Sequence, residues 1–541
     1  MTTARFRPLA CVCLLGFAAA APAAPPAVTY LFPAGVQRGQ TVEVTAAGSF
    51  ERWPVQAWCD GQGIEIRAAG DKGKLSISAA ADVVPGVYWL RLHDEQGAST
   101  PRPFVVGNLP EVLEREPNDD PKKPQLLESS AVVNGRLEKV GDVDTFAVRL
   151  HKGQTVVASM LANRVLGSPM DAVLQVVSAD GFVLGQNHDS NGLDPQIVFT
   201  AAADGIYLVR TFAFPATPTS AIRFDGAETY VYRLTLTTGG FAEYAYPLAV
   251  PRAFPGQVEL VGWNIPEAAR KVAVPGEAPD RVSHPQLANA VSVRLEPHPT
   301  AVEAEPNGRE RPQPITLPVT ISGRIDPAGD VDVYQFEAAK GQKLFFQVEA
   351  WALGFPLDPV LRLTDGTGKV LAQADDVGSS RDGSRDAELS FMVPEDGTYR
   401  IEVRDLHSGG GLRHVYRLRA TLAEPDFDLT LAADRFILTP GKPLEIPVTV
   451  VRRNGFADEV VLSVVGLPEG VTAAPAVAAA DAKSVTLRLT ADAGPVAGPI
   501  RIVGKAKGKD EMARTARSPL AGLGASTADL WLTVARTESK K

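Results

Sequence analysis

Cysteine is nearly missing from this chain. Cys11, Cys13 and Cys59 are the whole supply, and the first two lie inside an N-terminal apolar run. With that run removed no internal disulfide can form, so stability has to come from packing or from bound metal. Cys59 reads as a small buried hydrophobe. Histidine is scarce too: His93, His151, His188, His284, His298, His407 and His414 include no His-Glu-x-x-His pair, which leaves a zinc peptidase unsupported. No Gly-x-Ser-x-Gly elbow occurs. Ser408, in His407-Ser408-Gly409-Gly410-Gly411, reads as part of a glycine-rich hairpin tip. Asp365-Gly366-Thr367-Gly368 imitates a phosphate loop without the helix that should follow. Basic clusters are also lacking. The balance of 54 Lys+Arg against 63 Asp+Glu gives a net charge of −9. Nucleic acid and anionic lipid are therefore poor partners, and a cation is a better one.

What is present begins with a leader. Arg5 and Arg7 precede the apolar run Leu9 to Ala21 and the small-residue stretch Ala23-Ala24-Pro25-Pro26. A basic start, a short apolar segment and small residues near the cut are the elements of a secretory signal peptide. It is expected over residues 1–24, with cleavage near Ala20 to Ala24. The run is too short to span a bilayer, and no second apolar segment follows. The expected destination is the periplasm, the cell surface or the medium.

Beyond the leader, short alternating segments such as Thr41-Val42-Glu43-Val44-Thr45 and Val415-Tyr416-Arg417-Leu418-Arg419 are separated by Gly, Pro, Asp and Asn. Period-two alternation broken by turn residues predicts half-buried antiparallel strands. No long stretch has helical periodicity. The fold class is therefore all-β, a tandem of immunoglobulin-like and jelly-roll-like sandwiches.

Five blocks recur in one order. Glu114-Arg115-Glu116-Pro117-Asn118-Asp119 returns as Glu303-Ala304-Glu305-Pro306-Asn307-Gly308, and Gly141-Asp142-Val143-Asp144 returns as Gly329-Asp330-Val331-Asp332. Leu166-Gly167-Ser168-Pro169-Met170-Asp171 matches Leu353-Gly354-Phe355-Pro356-Leu357-Asp358. Asp204-Gly205-Ile206-Tyr207 matches Asp396-Gly397-Thr398-Tyr399, and Val231-Tyr232-Arg233-Leu234 matches Val415-Tyr416-Arg417-Leu418. The two copies are placed at 111–238 and 301–422. An immunoglobulin-like sandwich is expected at 27–109, a shorter relative at 241–300 and a third sandwich at 427–536.

The acidic Glu-Pro-Asn entry, the Gly-Asp-Val-Asp strand start and the Asp-Gly-x-Tyr hairpin make each copy resemble the bacterial pre-peptidase C-terminal domain. This β-sandwich follows the catalytic part of many secreted peptidases. The resemblance implies calcium, held by the entry segment together with the aspartates that open the next strand. By position the ligands are Glu114, Glu116, Asn118, Asp119, Asp142 and Asp144 in the first copy. In the second they are Glu303, Glu305, Asn307, Asp330 and Asp332, with Gly308 where the first has Asp119. The second site should be weaker or hold fewer ions.

Elementary chemistry is compatible with this. Calcium takes six to eight hard oxygens in tolerant geometry. Two unit charges 4 Å apart repel by about 4 kcal/mol at an effective dielectric near 20, so converging carboxylates favour a cation. The residues alone also fit a solvated linker followed by an ordinary strand. Downstream, Asn187, Asp189, Asn191 and Asp194, and Asp375, Asp376, Asp382 and Asp386, read as polar hairpin tips. Asp171 and Asp358 read as turn formers. Trp53, Trp58 and Trp351 fall in irregular stretches, where a ring is a candidate for stacking on sugar or peptide, though core packing is the commoner fate.

Taken together, the sequence describes an exported, non-catalytic binding or scaffold protein with calcium-stabilised repeats. Its partner would be an envelope or extracellular polymer or protein. The alternatives are a secreted peptidase-associated hydrolase, or its accessory subunit, and a structural spacer.

Overall fold

The computed structural model describes residues 24–536, apart from 218–219, 221–222, 277–280, 378–384 and 493. The expected leader and Asp382 lie outside the described residues. Alternation does become strand: Leu444–Arg453 and Ser484–Ala491 bury every second side chain. Among the described residues helix is confined to single turns at Asn163–Leu166, Glu267–Ala269 and Trp351–Leu353. No helix among the described residues is long and apolar enough to cross a membrane.

The chain is all-β. Its N-terminal sandwich packs Ala27–Phe32, Thr41–Ser49, Lys74–Ala79 and Ile64–Ala68 against Gly35–Gln37, Arg102–Gly107, Gly86–Asp94 and Gln56–Cys59. Val44, Leu75, Ile77, Leu92 and Phe104 fill the space between the sheets.

Both repeats have one strand order. In the first, one sheet runs Glu111–Leu113, Ala131–Arg136, Val231–Thr237, Thr155–Leu161, Gln196–Thr200. The other runs Gln125–Leu127, Asp144–Leu150, Gly205–Pro215, Met170–Ser178, Val183–Asn187. The second repeat reproduces this with Thr300–Val302, Val319–Arg324, Val415–Leu422, Lys343–Glu349, Ala387–Met392 and Gln313–Pro314, Val331–Ala338, Gly397–Asp405, Pro359–Asp365, Val370–Ala374. Between them, residues 241–296 form three small sheets around Val258, Leu260, Val282 and Val293. A last sandwich spans Asp426 to Val534.

The central strands of the repeats depart from half-burial. Ala131–Arg136 and Val231–Thr237 are buried on both faces, as are Val319–Arg324 and Val415–Leu422. The preceding module covers the outer face in each case. Arg233 lies there in an ion pair with Glu111, so close to the N-terminal sandwich that a Cβ on Gly35 would stand 2.6 Å from its Nε. Arg417 pairs with Glu296 of the middle module at 2.9 Å and with Glu349. The Val-Tyr-Arg-Leu block thus gives each repeat a buried arginine at its junction: Arg417 bonds the module before it, whereas Arg233 pairs within its own repeat and packs closely on Gly35.

The first and last sandwiches also touch. Arg91 is fully buried, 2.6 Å from Asp434, and donates to the Asp529 carbonyl at 3.1 Å. The His93 ring lies 4.4 Å from Trp531, and burial pushes its pKa down to about 4. Trp58, expected in an irregular stretch, is in the strand Gln56–Cys59 and meets Trp531 edge-on at 6.1 Å.

Candidate metal centres

Each repeat is entered along a short strand that pairs in parallel with the next one. The register brings the entry glutamate beside the following strand. The Glu114 N–H donates to the Asn134 carbonyl at 3.0 Å, and the Glu303 N–H to the Ser322 carbonyl at 3.0 Å. Their carboxylates accept the Arg136 N–H at 2.6 Å and the Arg324 N–H at 2.5 Å. The chain then loops over: Glu116 accepts the Asn118 N–H at 3.2 Å, and Glu305 the Asn307 N–H at 2.9 Å. The entry segment is folded against the sheet.

Glu114, Glu116 and Asp144 place carboxylate oxygens within 4.8 Å of one another, and so do Glu116, Asp119 and Asp142. Glu116 joins the two triads. In the second repeat Glu303, Glu305 and Asp332 form the one such triad among the described residues. Asp330 is not part of it. Its carboxylate turns to its own loop, accepting the Val331 N–H at 2.8 Å and the Asp326 N–H at 3.4 Å. With Gly308 at the position of Asp119, the outer triad is not formed there.

Burial makes these clusters unusual. Asp144, Asp332 and Asn307 are 0% exposed and Asn118 is 1% exposed. Asp144 Oδ1, Asp332 Oδ1 and both amide atoms of Asn118 and Asn307 have no hydrogen-bond partner. A buried polar atom left unpaired costs about 1–3 kcal/mol, and here several occur together at one place in each repeat. Desolvation shows in the acidities as well. Burial raises Glu114 and Glu303 to about 7 and Asp332 to about 8, and neighbouring negative charge adds to all three. Asp144 is pushed well above the carboxylate range, by burial first and then by Glu114. The donor set is hard oxygen throughout, which suits calcium.

Tyrosine completes each floor, Tyr232 alone in the first repeat and Tyr416 with Tyr334 in the second. Tyr232 donates to Asp144 Oδ2 at 2.5 Å and lies 3.1 Å from Glu114 Oε2. Tyr416 donates to Asp332 Oδ2 at 2.5 Å and contacts the Tyr334 hydroxyl at 2.7 Å. A Cβ on Gly135 would fall 2.1 Å from the Tyr232 ring, and one on Gly323 2.3 Å from the Tyr416 ring. Glycine is required there by the close approach. These tyrosines were legible as a repeated block, but their role was not.

The downstream acidic region behaves otherwise than expected. Asp194 and Asp386 are buried carboxylates rather than hairpin tips. Asp194 accepts the N–H groups of Ala162, Asn163 and Arg164, and Asp386 those of Ala350, Trp351 and Ala352. Each holds the start of a one-turn helix. Asn187 accepts the Gln196 N–H at 3.1 Å, while Asp189, Asp375 and Asp376 are exposed.

The segment from Asp330 to Asp405 carries the second triad's Asp332 and the strands Val331–Ala338, Gly397–Asp405, Pro359–Asp365 and Val370–Ala374 of the sheet that faces Tyr416's own. Residues 330–405 match the bacterial pre-peptidase C-terminal domain. The match falls within the second repeat and leaves out Glu303, Glu305, Asn307 and Tyr416; the first repeat shares the strand order of the second. Among solved structures, the pre-peptidase C-terminal domain of a collagenase from Bacillus anthracis is similar at 21% identity, over 20% of this chain and 93% of that one, with a TM-score of 0.17. Fibronectin(III)-like modules of CbhA from Clostridium thermocellum are similar at 12% identity, over 38% and 90%, with a TM-score of 0.15. No curated protein matches.

Proposed function

We propose that this chain is an exported, non-catalytic modular protein that binds an envelope or extracellular polymer or protein, and that calcium stabilises its two repeats. The observation that carries the calcium reading is the same in both copies. A buried aspartate with an unpaired oxygen and a buried asparagine with an unpaired amide stand beside two glutamates. Glu114, Glu116, Asp144 and Asn118 would hold one ion, and Asp119 and Asp142 extend that site. Glu303, Glu305, Asp332 and Asn307 would hold another. A bound cation supplies the charge that lets these carboxylates ionise while buried. It would fasten each entry segment to its sheet and so stiffen the passage from one module to the next. The pre-peptidase match supports an accessory, extracellular role.

Thermal unfolding in EDTA and in millimolar calcium tests this reading. A ligand confined to the native state stabilises by about 2.7 kcal/mol at a hundredfold excess over Kd. The wild type should melt higher in calcium, and an Asp144→Asn, Asp332→Asn double variant should not. Equal melting of the wild type in both buffers would sink the calcium reading. Screens for casein and polysaccharide hydrolysis, and pull-downs on envelope polymers, test the non-catalytic and binding roles.

A further inference from the structure

The second centre receives a group from outside its own repeat. Tyr246 belongs to the middle module's strand Phe241–Tyr246, yet its hydroxyl lies 3.2 Å from Glu303 Oε1 and 3.0 Å from the Ser322 carbonyl. Arg324 seats its guanidinium on the Tyr246 ring, 4.7 Å from the centroid, and stands 3.6 Å from Glu303. The Leu248 N–H donates to Ser322 Oγ at 3.0 Å. Module and metal cluster therefore share one strip of contacts.

The first centre shows what this arrangement is without the hydroxyl. Tyr30-Leu31-Phe32-Pro33 stands where the middle module has Tyr244-Ala245-Tyr246-Pro247. Arg136 lies over the Phe32 ring at 5.2 Å, as Arg324 lies over Tyr246. Phe32 has no hydroxyl to offer Glu114. The second repeat thus loses the Asp119 carboxylate to Gly308 and gains a phenol from its neighbour.

We propose that Tyr246 is a determinant of the second calcium centre, linking occupancy of that centre to docking of the middle module. This rests on the calcium reading above. The hydroxyl carries one proton and faces two acceptors. A hydrogen bond from the phenol to Glu303 fixes that carboxylate at the cluster and at the same time ties the middle module to it. Calcium and the docked module then support each other by linkage: each binds more tightly when the other is in place. The first centre has no such coupling to the sandwich before it.

The test uses the full mature chain stripped of metal, with calcium alone as the titrant. In an Asp142→Asn, Asp144→Asn background, where both triads of the first repeat are broken, Tyr246→Phe is expected to weaken calcium binding at the second centre roughly tenfold, the scale of one charge-assisted hydrogen bond. In an Asp332→Asn background only the first centre remains, and Tyr246→Phe should leave its affinity unchanged. Calcium should also slow proteolysis around Pro297-His298-Pro299 in the first background, and Tyr246→Phe should remove that protection. Unchanged affinity at the second centre, or an equal loss at both, would overturn the role of Tyr246. Absence of calcium binding in both backgrounds and in the wild type would instead overturn the calcium reading, and this inference with it.

Discussion

The Tyr416 hydroxyl stands 2.5 Å from Asp332 Oδ2, with both side chains fully buried. Tyr232 and Asp144 repeat the relationship at 2.5 Å in the first copy. A phenol donor on one oxygen leaves the other oxygen of each aspartate unpaired and facing the remaining carboxylates. The tyrosine positions the acid, and the oxygen that remains is the one a cation would take.

Tyr416→Phe removes that donor and also strands the Tyr334 hydroxyl 2.7 Å away. Hydrogen bonds to charged groups contribute about 1.5–3 kcal/mol. A loss of that order is expected in the second repeat, read by native-state hydrogen exchange because a chain of several sandwiches need not unfold in one step. Exchange in the strand Val331–Ala338 should speed up while Asp144–Leu150 stays protected. Uniform exchange across both repeats would contradict the assignment.

Gly323→Ala asks for a Cβ 2.3 Å from the Tyr416 ring. Overpacking of this kind costs about 1–3 kcal/mol. The tyrosine has to shift, and with it the hydrogen bond to Asp332. Reduced calcium affinity at the second centre is expected alongside lower stability. Wild-type affinity in Gly323→Ala would show that the ring does not position the site.

Metal-free protein should lose stability as pH rises from about 4 to about 8. Glu114 and Glu303 have folded values near 7 and Asp332 near 8, against about 4.3 for glutamate and 3.9 for aspartate in an unfolded chain. The folded state therefore holds protons that the unfolded state has released, so stability is full below the unfolded values and falls as pH climbs through the folded ones. Melting in EDTA at pH 5, 6, 7 and 8 should show the decline. Glu303→Gln with Asp332→Asn should flatten part of it, and saturating calcium should flatten it in the wild type. A slope that survives unchanged in the double variant would remove these groups as its cause.

Arg91→Ala removes the closer cation from Asp434 at the junction of the first and last sandwiches and leaves only Arg435, 3.5 Å away. Removing one partner of a buried pair typically costs about 3–5 kcal/mol. Small-angle scattering should show the two ends of the chain separating, and proteolysis should accelerate near Thr100 and Asp529. An unchanged scattering profile would mean the remaining contacts, His93 and Trp58 on Trp531 among them, hold the junction alone.

Much of the fold was legible because its cause is local. Alternation along Leu444–Arg453 is set by one wet face and one dry one, and period two reports that directly. Alternation is weakest as a guide where modules touch. Arg233 reads as a solvent-facing residue of a half-buried strand, yet it is buried because another module lies on it. The acidic residues named from the repeated blocks fall at the two centres, since one segment enters and the next strand begins at the same place in each copy. Asp330 is the exception: its motif is identical to that of Asp142, but where a partner would complete a triad the chain has Gly308, twenty-two residues upstream. Tyr246 was harder still. Its function depends on a contact between modules, and nothing in the spacing of a single chain announces which phenol will reach which glutamate.

Calorimetric titration of calcium into the metal-stripped mature chain, beside the Asp144→Asn, Asp332→Asn double variant, tests the central claim most directly. Saturable binding by the wild type that disappears in the double variant is the predicted result. No binding at millimolar calcium, or identical binding by both proteins, would contradict it.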